Sequence, residues 1–553
     1  MKQKNVLLDS DSRIAASPKI SPIVLSPSHI AAVNRRRRII VQFDAVGEGL
    51  HTLGIDIKKW FHFRFNFADD PATHIDTLCW DIGLGESAAY PSKVLPPLEA
   101  PGLKKWQSEG IDWVQVCVAE TKKRKLEAFW NHRISEVDVP PTESEKFGEY
   151  QHPLKKMHPD WLIKCWWPQG LWNLAVPEVW EYKLKQLREL AENYDLDGIQ
   201  LDFSRHTPSL PPGHQWEHRA CATEFVRRVR LMLLDVEGKK GRPILLAAKV
   251  PENLEGCRSD GFDIETWAQE NLVDIFSLGS RSIDVDLAAF RRIRNLTAGK
   301  NIKFYPCFDS HHTTEAYFDP PLEFLRGIYA NWWQQGSDGV ETFNWPNATL
   351  EAYREVGIKP DHDPSRHYQA CHEIGDPEAM RFKDKIFVVQ RRGGYPYREG
   401  GNISSNGFAQ LPADLANDGR MTALAIHISD DIAGAEKDGK LKEAILRVIL
   451  FNVMEGDTID VALNGVALEL LAADEKWKDP QIFSPGPLPS QMPAKWAYKI
   501  DPEQKLLLLV YKIIPGHANI GENRVGLRVT GRKSYPACTH IKIEKVEVLV
   551  NYP

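Results

Sequence analysis

Between Tyr194 and His206 the chain reads Tyr-Asp-Leu-Asp-Gly-Ile-Gln-Leu-Asp-Phe-Ser-Arg-His. Ile199, Leu201 and Phe203 alternate with Gly198, Gln200 and Asp202, the pattern of a strand with one apolar and one polar face. The carboxylate of Asp202 ends the polar face, and Ser204, Arg205 and His206 follow at once. A proton-transferring group with a guanidinium and an imidazole beside it has the chemistry of acid/base cleavage of a substrate held by a cation. The plain alternative is an edge strand carrying a solvated aspartate, but neighbouring segments repeat the arrangement.

In Ile39–Asp44 the apolar Ile39, Val41 and Phe43 leave Gln42 and Asp44 on the other face. The same parity in Ile75–Asp81 selects Thr77, Cys79 and Asp81, and in Ile244–Val250 it selects Ala247 and Lys249. Extended past its end, Ile302–Cys307 adds Tyr305, Cys307 and Asp309. Asp44, Asp81, Asp202, Lys249 and Asp309 are thus expected on one rim. Alternation is ambiguous in the segments ending at His132 and Asn344, so His132, Arg133, Glu341 and Asn344 are candidates by their place at strand ends. Glycosidic cleavage needs a proton donor and a second carboxylate as base or nucleophile. Asp202 is the first choice for a catalytic carboxylate and Asp44 the second, with His132 and Glu341 as further catalytic candidates. Arg133, Arg205, His206, Lys249, Asp81, Asp309 and Asn344 are expected to bind substrate.

A long excursion from about Pro140 to Pro177 holds Trp161, Trp166, Trp167 and Trp172. An insertion of that length over a site is usually functional, and flat indoles stack on the C–H faces of sugar rings. Trp166, Trp167 and Trp345 are therefore substrate-binding candidates, while other rings pack the excursion onto its support. Asp309, His311 and His312, and Asp361, His362, Asp363 and His367, lie close in sequence but lack a zinc spacing. With no glycine-rich phosphate loop either, no metal or other cofactor is expected.

The elements that must position these groups are legible as alternating strand-like and helix-like runs. The strands expected are Ile39–Asp44, Ile75–Asp81, Leu126–His132, Asp197–Phe203, Ile244–Val250, Val273–Leu278, Ile302–Cys307 and Gly339–Asn344. Eight alternations over roughly 300 residues predict an α/β fold, a (β/α)8 TIM barrel over 35–357. Residues 1–34 read as a flexible segment and 358–382 as a connector. After Lys383 short β runs separated by turns predict an antiparallel, jelly-roll-like β-sandwich over 383–553.

The 553 residues carry 69 basic and 75 acidic side chains, a formal net charge of −6, and 26% charged residues. The one basic run, Arg35–Arg38, leads into a strand, so no nucleic-acid partner is expected. No apolar run approaches the roughly 18 residues of a membrane span, so no membrane partner is expected. The eight cysteines form no Cys-x-x-Cys pair, as buried free thiols would not. No signal segment is visible, which makes the cytoplasm the default and a secreted or periplasmic protein the case if a leader has been lost. The oligomeric state is open, and a homodimer is compatible.

Asp-Leu-Asp-Gly-Ile-Gln-Leu-Asp-Phe-Ser-Arg resembles the fourth barrel strand of the family-10-like glycosyl hydrolases, a bacterial group. Three other stretches are similar to that group: Ile-Asp-Thr-Leu-Cys-Trp-Asp-Ile-Gly-Leu-Gly-Glu from Ile75, Leu-Glu-Ala-Phe-Trp-Asn-His-Arg from Leu126, and His-Pro-Asp-Trp-Leu from His158. The likeness spans roughly 35–357 and implies a glycan-cleaving barrel. Asp-Gly-x-x-x-Asp also looks like chitinase-type barrels, but Ser204 stands where those carry an acid. The inverting exo-sialidases of glycoside hydrolase family 156 offer a positional likeness, in which Asp44, His132, Arg205 and Asn344 would take the places of that family's Asp, His, Arg and Asn. The expectation is a glycoside hydrolase acting on a carbohydrate, with acidic sugars suggested by Arg133 and Arg205. The rival of another class is a non-catalytic glycan-binding protein on an inactive barrel.

Overall fold

The computed structural model describes residues 21–44, 56–81, 86–140, 146, 148–279, 287–309, 320–345, 348–360, 363–391, 409–479, 506–532 and 540–553. His311, His312, Asp361 and His362 lie outside the described residues, as does the side chain of Asp309.

Eight strands close into a barrel: β1 (Ile39–Asp44), β2 (Ile75–Asp81), β3 (Glu127–Arg133), β4 (Gly198–Asp202), β5 (Leu245–Val250), β6 (Ile275–Leu278), β7 (Lys303–Asp309) and β8 (Val340–Phe343). Neighbouring strands pair parallel, and β8 returns to β1 with Ile40 opposite Glu341. Helices on the outside include Ile57–Asp69, Trp113–Lys123, Pro177–Asn193, Arg219–Lys240 and Leu322–Gln334. Outward strand residues such as Val41, Leu78, Trp80, Ile199, Leu201 and Phe276 are buried against them in one continuous apolar core. The alternation read from the sequence is therefore the inside–outside alternation of the barrel.

The barrel interior is layered. At the N-terminal end Arg37 donates to Glu127 at 2.5 and 2.8 Å, and Thr77 donates to the same carboxylate at 3.0 Å. Above them Ile40, Cys79, Phe129, Leu245, Ala247, Ile275 and Tyr305 form a separate apolar plug. Gly198 belongs to this layer because a Cβ there would sit 2.6 Å from the Phe129 ring. The plug makes the barrel a filled core, so a substrate can enter only at the C-terminal rim.

Residues 1–34 were expected to be flexible, yet Pro27–Val33 is a helix capped by Ser26. His29 fixes it, buried between Glu237 (2.7 Å) and Asp274 (3.1 Å), with Arg230 on the same aspartate at 2.7 Å. An isolated seven-residue helix is marginal in water; this one is held by tertiary contacts.

The C-terminal strands are β9 (Lys385–Val388), β10 (Ala413–Leu415), β11 (Thr422–Ile428), β12 (Glu443–Phe451), β13 (Thr458–Leu463), β14 (Val466–Ala467), β15 (Glu469–Trp477), β16 (Leu506–Lys512), β17 (Gly521–Gly531) and β18 (Ile541–Asn551). They form two antiparallel sheets, β9-β18-β12-β16-β15 with β10 beside β18, and β11-β17-β13-β14. Leu446, Val448, Val546 and Val548 of one sheet share a core with Leu424, Ile426, Val461 and Leu527 of the other. Helix Leu322–Gln334 abuts this region closely: a Cβ on Gly327 would lie 2.1 Å from the Ile386 carbonyl oxygen. Asn331 bonds both the His427 carbonyl and the Ser429 N–H at 3.1 Å.

Candidate active site

Below the rim lies a buried polar layer centred on Glu341. Its Oε1 meets Lys249 Nζ at 2.6 Å, and its Oε2 accepts from Ser277 Oγ at 2.6 Å and Gln200 Nε2 at 3.0 Å. Lys249 also donates to Gln42, and neither member of the ion pair is exposed. Burial alone would push the Lys249 ammonium down, but the Cys307 and Glu341 side chains and the Asp202 carboxylate hold it above its ordinary value. Every oxygen of Glu341 is thus engaged from within the barrel. Lys249 and Glu341, expected as a binding and a catalytic residue, are a sealed ion pair that fills the barrel.

The rim itself is organised by Arg133. Its guanidinium donates to Asp44, reaches Glu136 at 2.8 Å and lies 3.3 Å from Asp81. Inward parity puts Asn131 beneath it, donating to Asp81 at 2.6 Å. Asp44 exchanges two bonds with Asn344: its N–H donates to the amide oxygen at 2.7 Å, and the amide nitrogen donates to its carboxylate at 3.2 Å. Asn344 sits at φ +52°, a conformation asparagine tolerates better than most residues. Burial pushes the Asp44 carboxyl up, but the Arg133 and Arg205 guanidiniums and the bonds from Arg133 and Asn344 hold it below the usual range. Asp44 is therefore an ionised group with 23% of its side chain open, whereas Arg133 has 5%.

Asp202 lies beside Arg133 and Lys249 in register and is 1% exposed. One oxygen accepts the N–H groups of Ser204 (3.0 Å) and Arg205 (3.1 Å), a turn that aims the next side chains back across the rim. His206 Nδ1 is 2.7 Å from Glu136 Oε1. Burial raises the Glu136 carboxyl, but His206, Arg133 and Arg205 more than reverse this and keep it ionised. The Arg205 guanidinium adds to the positive charge that holds Asp44 and Glu136 ionised.

His132 alternates to the other side of β3 from Asn131 and Arg133, next to outward Leu201. It stands with Glu86 and Lys183 behind the strand, in a cavity that Asp81 and Arg133 also line. Expected as a catalytic residue, His132 faces the side of β3 opposite Arg133, the partner of Asp44.

The aromatic candidates divide. Trp345 is 3% exposed and donates to the Phe308 carbonyl at 3.0 Å; Trp167 is 7% exposed and donates to Asp138 at 2.9 Å. Neither has a face left for a sugar. Trp166 is half-buried, bonds the Thr207 carbonyl at 2.8 Å, and lies 6.0 Å from the His206 ring. Asp138 anchors the excursion, pairing with the fully buried Lys155 at 2.8 Å.

Sequence reasoning missed Glu136, Asn131 and Glu86. Asn131 was recoverable from parity once Arg133 was set inward, and Glu136 from its spacing of three from Arg133. Among the described residues no cluster of three His, Cys, Asp or Glu side chains could hold a metal ion. No helix is long and apolar enough to cross a membrane among them.

All four of the stretches quoted from the sequence, 75–86, 126–133, 158–162 and 195–205, fall in one matched region. Residues 55–218 match the family model glycosyl hydrolase-like 10. The family is the one that the strand motifs resemble, and the matched region includes Asp81, Arg133, Glu136, Asp202 and Arg205. Glycosyl hydrolase YngK of Bacillus subtilis is 31% identical over 118 residues, 21% of this chain and 22% of that one. Glycosyl hydrolase DigH of Escherichia coli is 27% identical over 141 residues, 24% of this chain and 32% of that one. The matches thus span a third or less of these curated relatives. An α-amylase of Geobacillus thermoleovorans aligns with TM-score 0.38 at 13% identity, covering 90% of this chain and 99% of that chain.

Proposed function

We propose that the chain is a glycoside hydrolase whose substrate lies across the rim, with Asp44 and Asp202 as its reacting carboxylates. The observation that carries the reading is Asp44: it is partly open to solvent and held ionised by Arg133. A carboxylate with a depressed pKa suits a base or nucleophile and is a poor proton donor. The second reacting carboxylate is then assigned to Asp202, whose one oxygen is oriented by two backbone N–H groups. The family match and the names of the relatives support glycosidic chemistry.

The same geometry favours a neutral glycan over an acidic one. Arg133 is committed to Asp44, Asp81 and Glu136, and the charge of Arg205 acts on Asp44 and Glu136 as well. A substrate carboxylate would have to displace one of these partners. Trp166 supplies the one half-open indole among the three proposed, and His206 and Asn344 frame the rim beside it. Release of new reducing ends from a mixed panel of neutral and acidic polysaccharides tests the reading. Turnover of a neutral glycan is the expected result, and binding without turnover would leave a glycan-binding protein on an inactive barrel.

A further inference from the structure

Behind β3, between the barrel wall and helix Pro177–Asn193, lies a cavity of about 50 Å³. Asp81, Asn131, Arg133 and Glu136 form its rim side, so it borders the Asp44–Arg133 network. His132, Glu86 and Lys183 are polar groups of its lining, and Trp130, Leu95 and Leu190 are apolar ones. Glu86 and Lys183 satisfy each other at 2.6 Å, and Trp172, Tyr182 and Gln186 complete the Glu86 carboxylate at 2.8, 3.2 and 3.3 Å. His132 is different. It is 9% exposed, and its buried Nε2 has no hydrogen-bond partner among the described residues. Buried polar atoms are as a rule paired, so one left open on a cavity beside a binding rim points to a ligand group.

We propose that this cavity is a subsite for the hydroxymethyl arm of a neutral hexose, with His132 Nε2 bonding its hydroxyl. The proposal rests on the glycosidase reading above and adds the feature by which the site selects its sugar. Size fits: a single water needs about 10–15 Å³ on this measure, so the cavity admits a group of a few heavy atoms and no whole ring. Charge fits as well. Burial, and then the Lys183 ammonium, push the His132 imidazole down to about 3, so it meets the ligand neutral. The two cations among the cavity's lining residues, Lys183 and Arg133, are already paired, Lys183 with Glu86 and Arg133 with Asp44, Asp81 and Glu136. A hexuronic acid would place a carboxylate beside cations whose charge is already matched, which is costly in a buried site. The apolar lining from Trp130, Leu95 and Leu190 takes the methylene of the arm.

The test compares 4-nitrophenyl hexopyranosides of gluco, galacto and manno configuration with their 6-deoxy counterparts and the matching hexuronides. The wild-type protein should prefer the hexoside over the 6-deoxy sugar by about tenfold or more in kcat/KM, and over the hexuronide by on the order of a hundredfold or more. His132→Ala should lower the hexoside to the 6-deoxy level and leave the 6-deoxy sugar unchanged; His132→Gln, which keeps a polar tip, should recover part of the loss. Equal losses on hexoside and 6-deoxy sugar, or a wild-type protein indifferent to the 6-hydroxyl, would overturn the subsite. The wild-type comparison needs no variant and holds even if both substitutions unfold the chain. Should no glycoside be cleaved, the glycosidase reading fails separately, and calorimetric binding of the methyl hexoside, methyl 6-deoxyhexoside and methyl hexuronide decides the subsite by the same order of preference.

Discussion

Lys249→Met is the perturbation whose outcome follows most directly from the barrel interior. Lys249 and Glu341 are both wholly buried with 2.6 Å between Nζ and Oε1. At an effective dielectric of about 20 that separation corresponds to a Coulomb energy of about 6 kcal/mol, much of it offset by the desolvation of both charges. Removing one partner leaves the other as an uncompensated buried charge, a change that costs about 3–5 kcal/mol. Ser277 and Gln200 still donate to Glu341, which keeps the loss from exceeding that range. Chemical denaturation followed by tryptophan fluorescence measures it. Adding Glu341→Gln to Lys249→Met should restore at least half of the stability, since the remaining amide is neutral and still accepts from Ser277. A single variant within about 1 kcal/mol of wild type, or a double variant no more stable than the single, would refute the sealed-pair assignment.

Arg133→Met should lower stability by roughly 3–5 kcal/mol and abolish activity together, because it leaves Asp44, Asp81 and Glu136 facing one another without their shared cation; thermal melts and assays of the same preparation check both. Trp166→Ala should raise KM by about five- to tenfold with a smaller effect on kcat, as expected for the loss of one stacking face worth about 1–1.5 kcal/mol; an unchanged KM would make Trp166 purely a prop of the excursion. Acid sensitivity has a defined sign. Burial raises the Glu86 and Asp274 carboxyls, but Lys183 and Arg230 respectively bring each to about 2. Folded values below the unfolded ones mean a stabilisation present above about pH 4.3 and lost as pH falls towards 2. A stability profile flat between pH 5 and 2.5 would contradict the two buried pairs.

Much of the barrel was legible because its strands alternate on an absolute scale: β1 and β2 begin and end where the apolar period of two says they should. The inward positions of Gln42, Asp81, Gln200, Asp202 and Lys249 followed from the same parity. What parity cannot convey is depth. Glu341 shares the inner face with Asp44 and Asp202, yet it lies in the layer beneath, where the side chain of Lys249, in register with Asp202, neutralises it. Strand β3 was opaque because Phe129, Trp130, Asn131, His132 and Arg133 put large or polar groups on both faces, so only the packing of Phe129 over Gly198 sets its phase. In the C-terminal region β15 went unread: Glu-Leu-Leu-Ala-Ala-Asp-Glu-Lys-Trp is made of good helix formers, and pairing with β16 overrides that preference. The helix Pro27–Val33 was hidden for a related reason, since its stability comes from His29 meeting Glu237 and Asp274, contacts more than 200 residues away in sequence.

The central claim is that Asp44 and Asp202 perform the chemistry while Glu341 only supports them. Reducing-end release from a neutral glycan, measured for wild type, Asp44→Asn and Asp202→Asn, tests it most directly. The account predicts turnover by the wild type and losses of on the order of 10³-fold or more in kcat for each variant, with melting temperatures close to wild type. Full activity in either variant would contradict it.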